Sequence, residues 1–139
     1  MVNYASHHFI RHEVINKYGL VYTVKGSDPD LKPILLTAHQ DVVPVDEDSL
    51  DEWTYPPFEG HYDQRDGHLY GRDTSDDKAA LTGLMSAVEA LLAQDDYDPR
   101  RTVTLAFGFD HEVGGEKGAE KQSSGISRSL ERRWSNKTV

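Results

Sequence analysis

Apolar residues along this chain fall in blocks whose spacing predicts their elements. Leu20 to Val24 alternates and is rich in β-branched and aromatic side chains, and the turn-forming Gly26-Ser27-Asp28-Pro29 follows it, so a strand and a turn are expected. Pro33 to Ala38 is a nearly continuous apolar run, which suits a strand covered on both faces, as in a parallel sheet, and it ends at once in His39-Gln40-Asp41. Val45 to Tyr62 turns acidic and then aromatic without helical or strand periodicity and reads as an ordered loop. A short strand at His68 to Tyr70 precedes Gly71-Arg72-Asp73-Thr74-Ser75-Asp76-Asp77-Lys78. That segment leads into Ala79 to Ala93, where Leu81, Leu84, Met85, Val88, Leu91 and Leu92 hold the stripe of an amphipathic helix, with acidic residues at its positive end. Beyond Pro99, Thr102 to Phe109 repeats the covered-strand pattern and stops at Asp110-His111-Glu112, with Gly114 and Gly115 close behind. Strand, helix, strand in this order implies a right-handed crossover and an α/β fold. Ile126, Leu130 and Trp134 fall at i, i+4, i+8 and point to one more amphipathic helix in a divergent tail over 121–139, against which Ser123-Ser124-Gly125 argues.

The chain has 139 residues, enough for one domain and too few for the two lobes that most cleft enzymes use. No repeat or linker divides it. Fifteen Lys and Arg against 24 Asp and Glu give a net charge of −9 with no basic patch, which disfavours nucleic acid and anionic membrane as partners. Only 37% of residues are hydrophobic, so the core is expected to be thin. Cysteine is absent, which excludes disulfides and thiolate metal sites and leaves His, Asp and Glu as the ligands available. No stretch approaches the roughly 18 apolar residues of a membrane span, and the first residues carry no signal-peptide core. Asn136-Lys137-Thr138 matches a glycosylation sequon, a short pattern that is common by chance.

Three polar clusters share one kind of place. His39 and Asp41 follow a buried strand, Asp76 precedes a helix, and Asp110 to Glu112 follow another buried strand. Open α/β sheets bind ligands at the carboxyl ends of their strands, where such clusters converge. Neutral imidazole and carboxylate oxygen are zinc ligands at roughly 2.0 to 2.2 Å, and a carboxylate can bridge two ions. His39 and Glu112 could each take one metal with Asp76 between them, while Asp41 is placed to accept the other ring N–H of His39 and fix its tautomer. Each residue also has a plainer reading: His39 as a strand-end histidine, Asp76 and Asp77 as helix caps, Asp110-His111-Glu112 as a polar strand exit. His7, His8, His12, His61 and His68 have no spacing that recommends them for a role. A nucleophilic serine elbow and a phosphate-binding loop are both lacking.

Taken in order, these motifs resemble the co-catalytic zinc peptidase family of carboxypeptidase S, glutamate carboxypeptidases, aminoacylases and peptidase T, and within it the carboxypeptidase S (Gly-X carboxypeptidase) branch. The resemblance is carried by Pro33 to Val45, by Trp53-Thr54-Tyr55-Pro56-Pro57-Phe58-Glu59-Gly60, by Leu69-Tyr70-Gly71-Arg72 with Asp76-Asp77-Lys78, and by Phe107-Gly108-Phe109-Asp110 with Glu112-Val113-Gly114-Gly115. It covers roughly residues 7 to 120. It implies a partial zinc-exopeptidase catalytic domain with a mixed sheet and flanking helices. His39 is then similar to the first metal-binding histidine, Asp41 to the aspartate that orients it, Asp76 to the bridging aspartate and Glu112 to a ligand of the other metal. The peptide bond after the bridging aspartate is expected to be cis. The implied reaction is hydrolysis of a C-terminal peptide bond or an N-acyl amino acid by metal-activated water. Small peptides or N-acyl amino acids with a free carboxylate are the implied substrates, and a vacuole the implied place.

The departures shape the expectation. His111 stands where the family has a glutamate base, and an imidazole there could take a proton or capture metal. Asp73 stands where glycine is usual and Ala79 where glycine is common. The family's further acidic ligand, its lid and dimerisation domain and its late histidine have no counterpart after Gly118-Ala119, so 1–139 is expected to be a single truncated catalytic domain. With only two protein ligands per metal and Asp76 shared, weak metal binding and little or no turnover are predicted. The alternative is a non-catalytic truncated homologue that binds metal or a partner, including a second copy in a homo-oligomer, through its sheet edge and apolar helix face. An unrelated acidic interaction module is the third reading and predicts no response to metal.

Overall fold

Strand β6 (Val103–Gly108) is the centre of the molecule. In the computed structural model, which describes residues 10–118, 120–121 and 123–126, it lies between β2 (Gly19–Val24) and β3 (Ile34–His39) in a four-stranded sheet of order β1-β2-β6-β3, with β1 spanning Ile10–Ile15. β1, β2 and β6 pair antiparallel, whereas β3 runs parallel to β6, from Ile34 beside Val103 to His39 beside Gly108. The sheet is therefore mixed. A second, two-stranded sheet pairs β4 (His61–Asp63) with β5 (His68–Tyr70). Helix α1 (Lys78–Leu92) lies in sequence between β3 and β6.

The period of two along each strand divides the core. Leu105 and Phe107 of β6, with Leu20, Tyr22, Leu36 and Ala38, face α1 and meet its Leu81, Leu84, Met85 and Val88. Val21 and Ala106 point the other way and pack with Ile15 and Ile126. β6 reads as a largely apolar run, interrupted by the buried Thr104, because both of its faces are covered; Leu105 and Phe107 are each 1% exposed. Burying such side chains contributes roughly 1.5–3 kcal/mol apiece.

β3 differs from its expectation. It is parallel, but Ile34 and Leu35 are 42% and 50% exposed. It forms the sheet edge, and its start is open on both faces while its end, at Ala38 and His39, is buried. Of the apolar run, Leu36 and Ala38 pack toward α1, whereas Ile34 and Leu35 at the strand's start do not. The α1 stripe holds from Leu81 to Val88, and Leu91 is left exposed.

Two strands escape the sequence patterns. β1 carries Arg11, His12 and Glu13 in succession, which an edge strand tolerates because both of its faces are partly open, Arg11 and His12 being exposed on opposite sides. β4 is three residues long and emerges from the expected loop before Tyr62. That loop also contains a 3-10 turn at Glu47–Glu52, capped by the Asp46 carboxylate, which accepts from the Asp48 N–H. The turn after β2 holds as expected: the Asp28 carboxylate accepts from the Asp30 N–H at 3.1 Å and from Arg100 at 2.9 Å. Gly26 is required there, because a Cβ would collide with the backbone of residues 100–102. Residues 120, 121 and 123–126 are helical and bury Ile126; Leu130, Trp134, the sequon, His7 and His8 lie outside the described residues.

Candidate metal centre

The carboxyl ends of β3 and β6 lie side by side, and the polar residues that follow them face the start of α1. His39 is the last residue of β3 and is 6% exposed. Its Nε2 lies 3.2 Å from Asp76 Oδ1 and 3.9 Å from Glu112 Oε1. One donor atom from each of His39, Asp76 and Glu112 falls within 4.8 Å of the others. For comparison, ligand atoms of a tetrahedral zinc with bonds of about 2.1 Å are roughly 3.4 Å apart. The nitrogen-and-carboxylate donor set, its spacing and its negative charge suit a divalent cation of the zinc type.

The backbone that presents these atoms is held by the acidic residues around them. Asp77, at the position before α1, makes no capping bond with its side chain. Its Oδ2 accepts from the His39 N–H at 3.1 Å instead. The capping reading of Asp77 therefore fails, and Asp76 is turned outward with its side chain 86% exposed. The Asp76-Asp77 peptide bond is cis, as the resemblance implied. Lys78 donates to the Gln40 carbonyl at 3.0 Å and lies 3.7 Å from Asp73 Oδ2, tying the loop to the end of β3. Asp73 occupies the left-handed region at φ 63°, which explains why glycine suits that position.

Asp41 acts somewhat differently from expectation. The short contact to His39 Nδ1, 3.0 Å, comes from the Asp41 backbone carbonyl, while its carboxylate Oδ1 is 3.5 Å from that nitrogen. Asp41 Oδ2 accepts from the Glu112 N–H at 2.9 Å. Asp41 thus aligns two members of the triad at once, the ring of His39 by its main chain and the backbone of Glu112 by its side chain. Burial pushes its carboxyl up, but the backbone N–H groups of Glu112 and His111 outweigh this and hold it below the ordinary range. A carbonyl only accepts, so Nδ1 carries hydrogen and Nε2 is the nitrogen turned to Asp76 and Glu112. Burial depresses the His39 pKa, yet the Asp76 hydrogen bond, the Asp41 carbonyl and the charges of Asp41 and Asp77 together raise it above 6.5.

Glu112 stands in the 3-10 turn His111–Val113, which Gly114 ends in the left-handed region at φ 105°. Asp110, 7% exposed, is not part of the triad. Its carboxylate accepts from the N–H groups of Lys117 at 2.6 Å and Gly118 at 2.9 Å, anchoring the next loop. The sequence reading likewise gives the metal role to Glu112 and none to Asp110. The His111 ring lies against that of His39, with centroids 4.7 Å apart and planes inclined by 27°. The other described histidines have structural partners: His12 stacks on Tyr22, His61 on Tyr55, and His68 pairs with Asp66.

Comparison with known proteins gives the site a context. Residues 35–134 match the model of the peptidase family M20/M25/M40. The chain is 47% identical over 118 residues to carboxypeptidase S of Saccharomyces cerevisiae, covering 85% of this chain and 20% of that protein. It is 47% identical over 113 residues to a probable carboxypeptidase S-like 2 of Dictyostelium discoideum, covering 81% of this chain and 21% of that protein. It is 46% identical over 116 residues to the human N-fatty-acyl-amino acid synthase/hydrolase PM20D1, covering 84% of this chain and 22% of that protein. The chain therefore spans about a fifth of the length of these relatives.

Proposed function

Because the chain belongs to the peptidase family M20/M25/M40, whose members depend on metal, we propose that it is a zinc-binding hydrolase domain of the carboxypeptidase S kind. Its substrates are small peptides or N-acyl amino acids with a free carboxylate, cleaved at the amide bond next to that end. The carrying observation is the convergence of His39 Nε2, Asp76 Oδ1 and Glu112 Oε1 within 4.8 Å. The printed names of the relatives, a carboxypeptidase and an N-acyl-amino acid hydrolase, support the substrate class.

Zinc held there would supply Lewis acidity toward an amide carbonyl and toward a water molecule. The chain's part is positional. His39 offers Nε2 because the Asp41 carbonyl occupies Nδ1, and Glu112 is held to the same spot by its N–H bond to Asp41. Asp76 reaches it from the loop that Lys78 fastens to Gln40. A substrate carboxylate also needs a cation. Lys78, the basic residue that ties this loop to the end of β3, has its ammonium committed to the Gln40 carbonyl, so slow turnover by this chain is expected.

A second reading, metal binding without hydrolysis, is favoured by His111 at the position where a carboxylate base is expected. The vacuolar expectation rests on the likeness to carboxypeptidase S; no helix among the described residues is long and apolar enough to cross a membrane. The test is zinc titration followed by N-acyl amino acid and dipeptide hydrolysis with zinc and with a chelator. Stoichiometric zinc binding with chelator-sensitive cleavage confined to free-carboxylate substrates is expected. Zinc binding with no cleavage would select the second reading, and no zinc binding would refute both.

A further inference from the structure

A cavity of about 430 Å³ is lined from one side by the acidic 3-10 turn Glu47–Glu52 and from the other by the two-stranded sheet, and its wall includes Glu52, Trp53, Tyr55 and Tyr70. We propose that this cavity binds an organic cation through an alkylammonium group, with the three aromatic rings around the charge and the Glu52 carboxylate beside it. The site stands whether or not His39 holds a metal.

The charge of the turn sets the sign of the ligand. Glu47, Asp48, Asp51 and Glu52 lie in one 3-10 turn that has no basic residue in its last turn. The described ion pairs of Arg11, Arg65, Lys78 and Arg100 go to Glu13, Asp63, Asp73 and Asp28, so among the described residues none of these cations neutralises the turn. An anion would be repelled there and a cation drawn in.

The aromatic wall suits the same sign, because ring faces are electron-rich. Trp53 already accepts a cation from within the chain: the Arg72 guanidinium lies over its ring, 4.8 Å from the centroid. The buried Nε of Arg72 has no hydrogen-bond acceptor among the described residues, so the ring supplies what an acceptor would. Arg72 itself does not line the cavity. The tyrosine hydroxyls are spent as donors, Tyr55 to Asp63 at 3.0 Å and Tyr70 to Asp66 at 2.7 Å. Donation to a carboxylate pushes electron density into each ring and leaves no O–H for an anionic ligand. The rings are also held in place: Tyr55 stacks on His61 at 3.8 Å and is inclined by 54° to Tyr70 at a centroid distance of 5.0 Å. Angled aromatic walls with a carboxylate at the rim are the recognition chemistry of quaternary and alkylated ammonium groups, and the volume is in the range of small-molecule sites.

The experiment titrates the 139-residue chain with choline and with its uncharged isostere, in which carbon replaces nitrogen, following the NMR signals of the Trp53 indole and the Tyr55 and Tyr70 rings. Choline should shift all three, and the isostere should bind about tenfold more weakly, the size of a partly desolvated cation–π contact. Trp53→Leu should cost about tenfold in choline affinity. Glu52→Gln, at an exposed position and without change of shape, should cost about threefold, as loss of a surface charge does. Equal binding of choline and the isostere, unchanged affinity in both variants, or no shift at any of the three rings would each overturn the site and leave the proposed function standing. A peptide carrying trimethyllysine, titrated alongside, names the source of the cation: tighter binding than choline points to a peptide side chain and weaker binding to a free amine, and both uphold the site.

Discussion

Two acidic, aromatic-rich regions of this molecule use the same residue types to opposite ends. In the β4–β5 sheet, Asp63 receives Arg65 through two nitrogens, at 3.1 and 2.6 Å, and the Tyr55 hydroxyl at 3.0 Å. Asp66 receives the His68 N–H at 2.9 Å and the Tyr70 hydroxyl at 2.7 Å. Every negative charge there has a donor of its own. At the ends of β3 and β6, Asp76 and Glu112 converge on one imidazole, and the ammonium of Lys78 is directed to a carbonyl and to Asp73 instead. A carboxylate with an internal cation holds a turn. Carboxylates gathered without one create a field that a metal ion answers.

The sharpest way to break this contrast is to remove one centre from each region. His39→Ala should weaken zinc binding by about a hundredfold or more, since it deletes the nitrogen donor itself, while Asp63→Ala should leave zinc affinity unchanged. Chelator competition on both variants decides the matter, and equal losses would erase the distinction.

Asp41→Ala tests whether the site is preorganised. Without the carboxylate the Glu112 N–H loses its acceptor, so zinc affinity should fall by about 10- to 100-fold. Stability should fall by roughly 1–3 kcal/mol in urea, the cost of stranding a partly buried donor.

Proton titration separates the regions by sign. His39 has a raised pKa in the folded, metal-free chain, so its contribution to stability is fully present below 6.5 and is lost as pH rises through the raised value. Zinc needs that same nitrogen unprotonated, so zinc affinity should climb over the window in which the metal-free chain loses stability. The Arg65 side chain and backbone beside Asp63 hold its carboxyl far below 3.8. Its contribution is present above 3.8 and should survive until strong acid. Urea midpoints from pH 8 downward, with and without zinc, would show whether the two responses part.

The smallest effect is expected at Asp73, whose buried Oδ2 lacks a hydrogen bond and whose φ is 63°. Asp73→Gly should raise stability by about 0.5–1 kcal/mol, because glycine reaches the left-handed region without the steric cost borne by a Cβ. A lowered melting temperature would mean that the 3.7 Å contact with Lys78 outweighs that cost.

Much of this was written in the chain itself. The run at 103–108 determined a strand covered on both faces, the stripe from Leu81 to Val88 determined a helix against it, and the order of His39, Asp76 and Glu112 placed three candidate ligands at element ends. Apolar periodicity is local, since it records which face a strand or helix must hide, and so it survives reading without neighbours. Only the tertiary structure decided the edge position of β3, the polar edge strand β1, and the tasks of the acidic residues. Asp41 serves Glu112 across 71 positions, Asp77 serves the main chain of His39 across 38, and Asp110 holds the loop at Lys117 and Gly118. A carboxylate has the same formula in each case. Its role is set by which donors the fold brings to it, and at Asp41 and Asp77 those donors belong to distant parts of the chain.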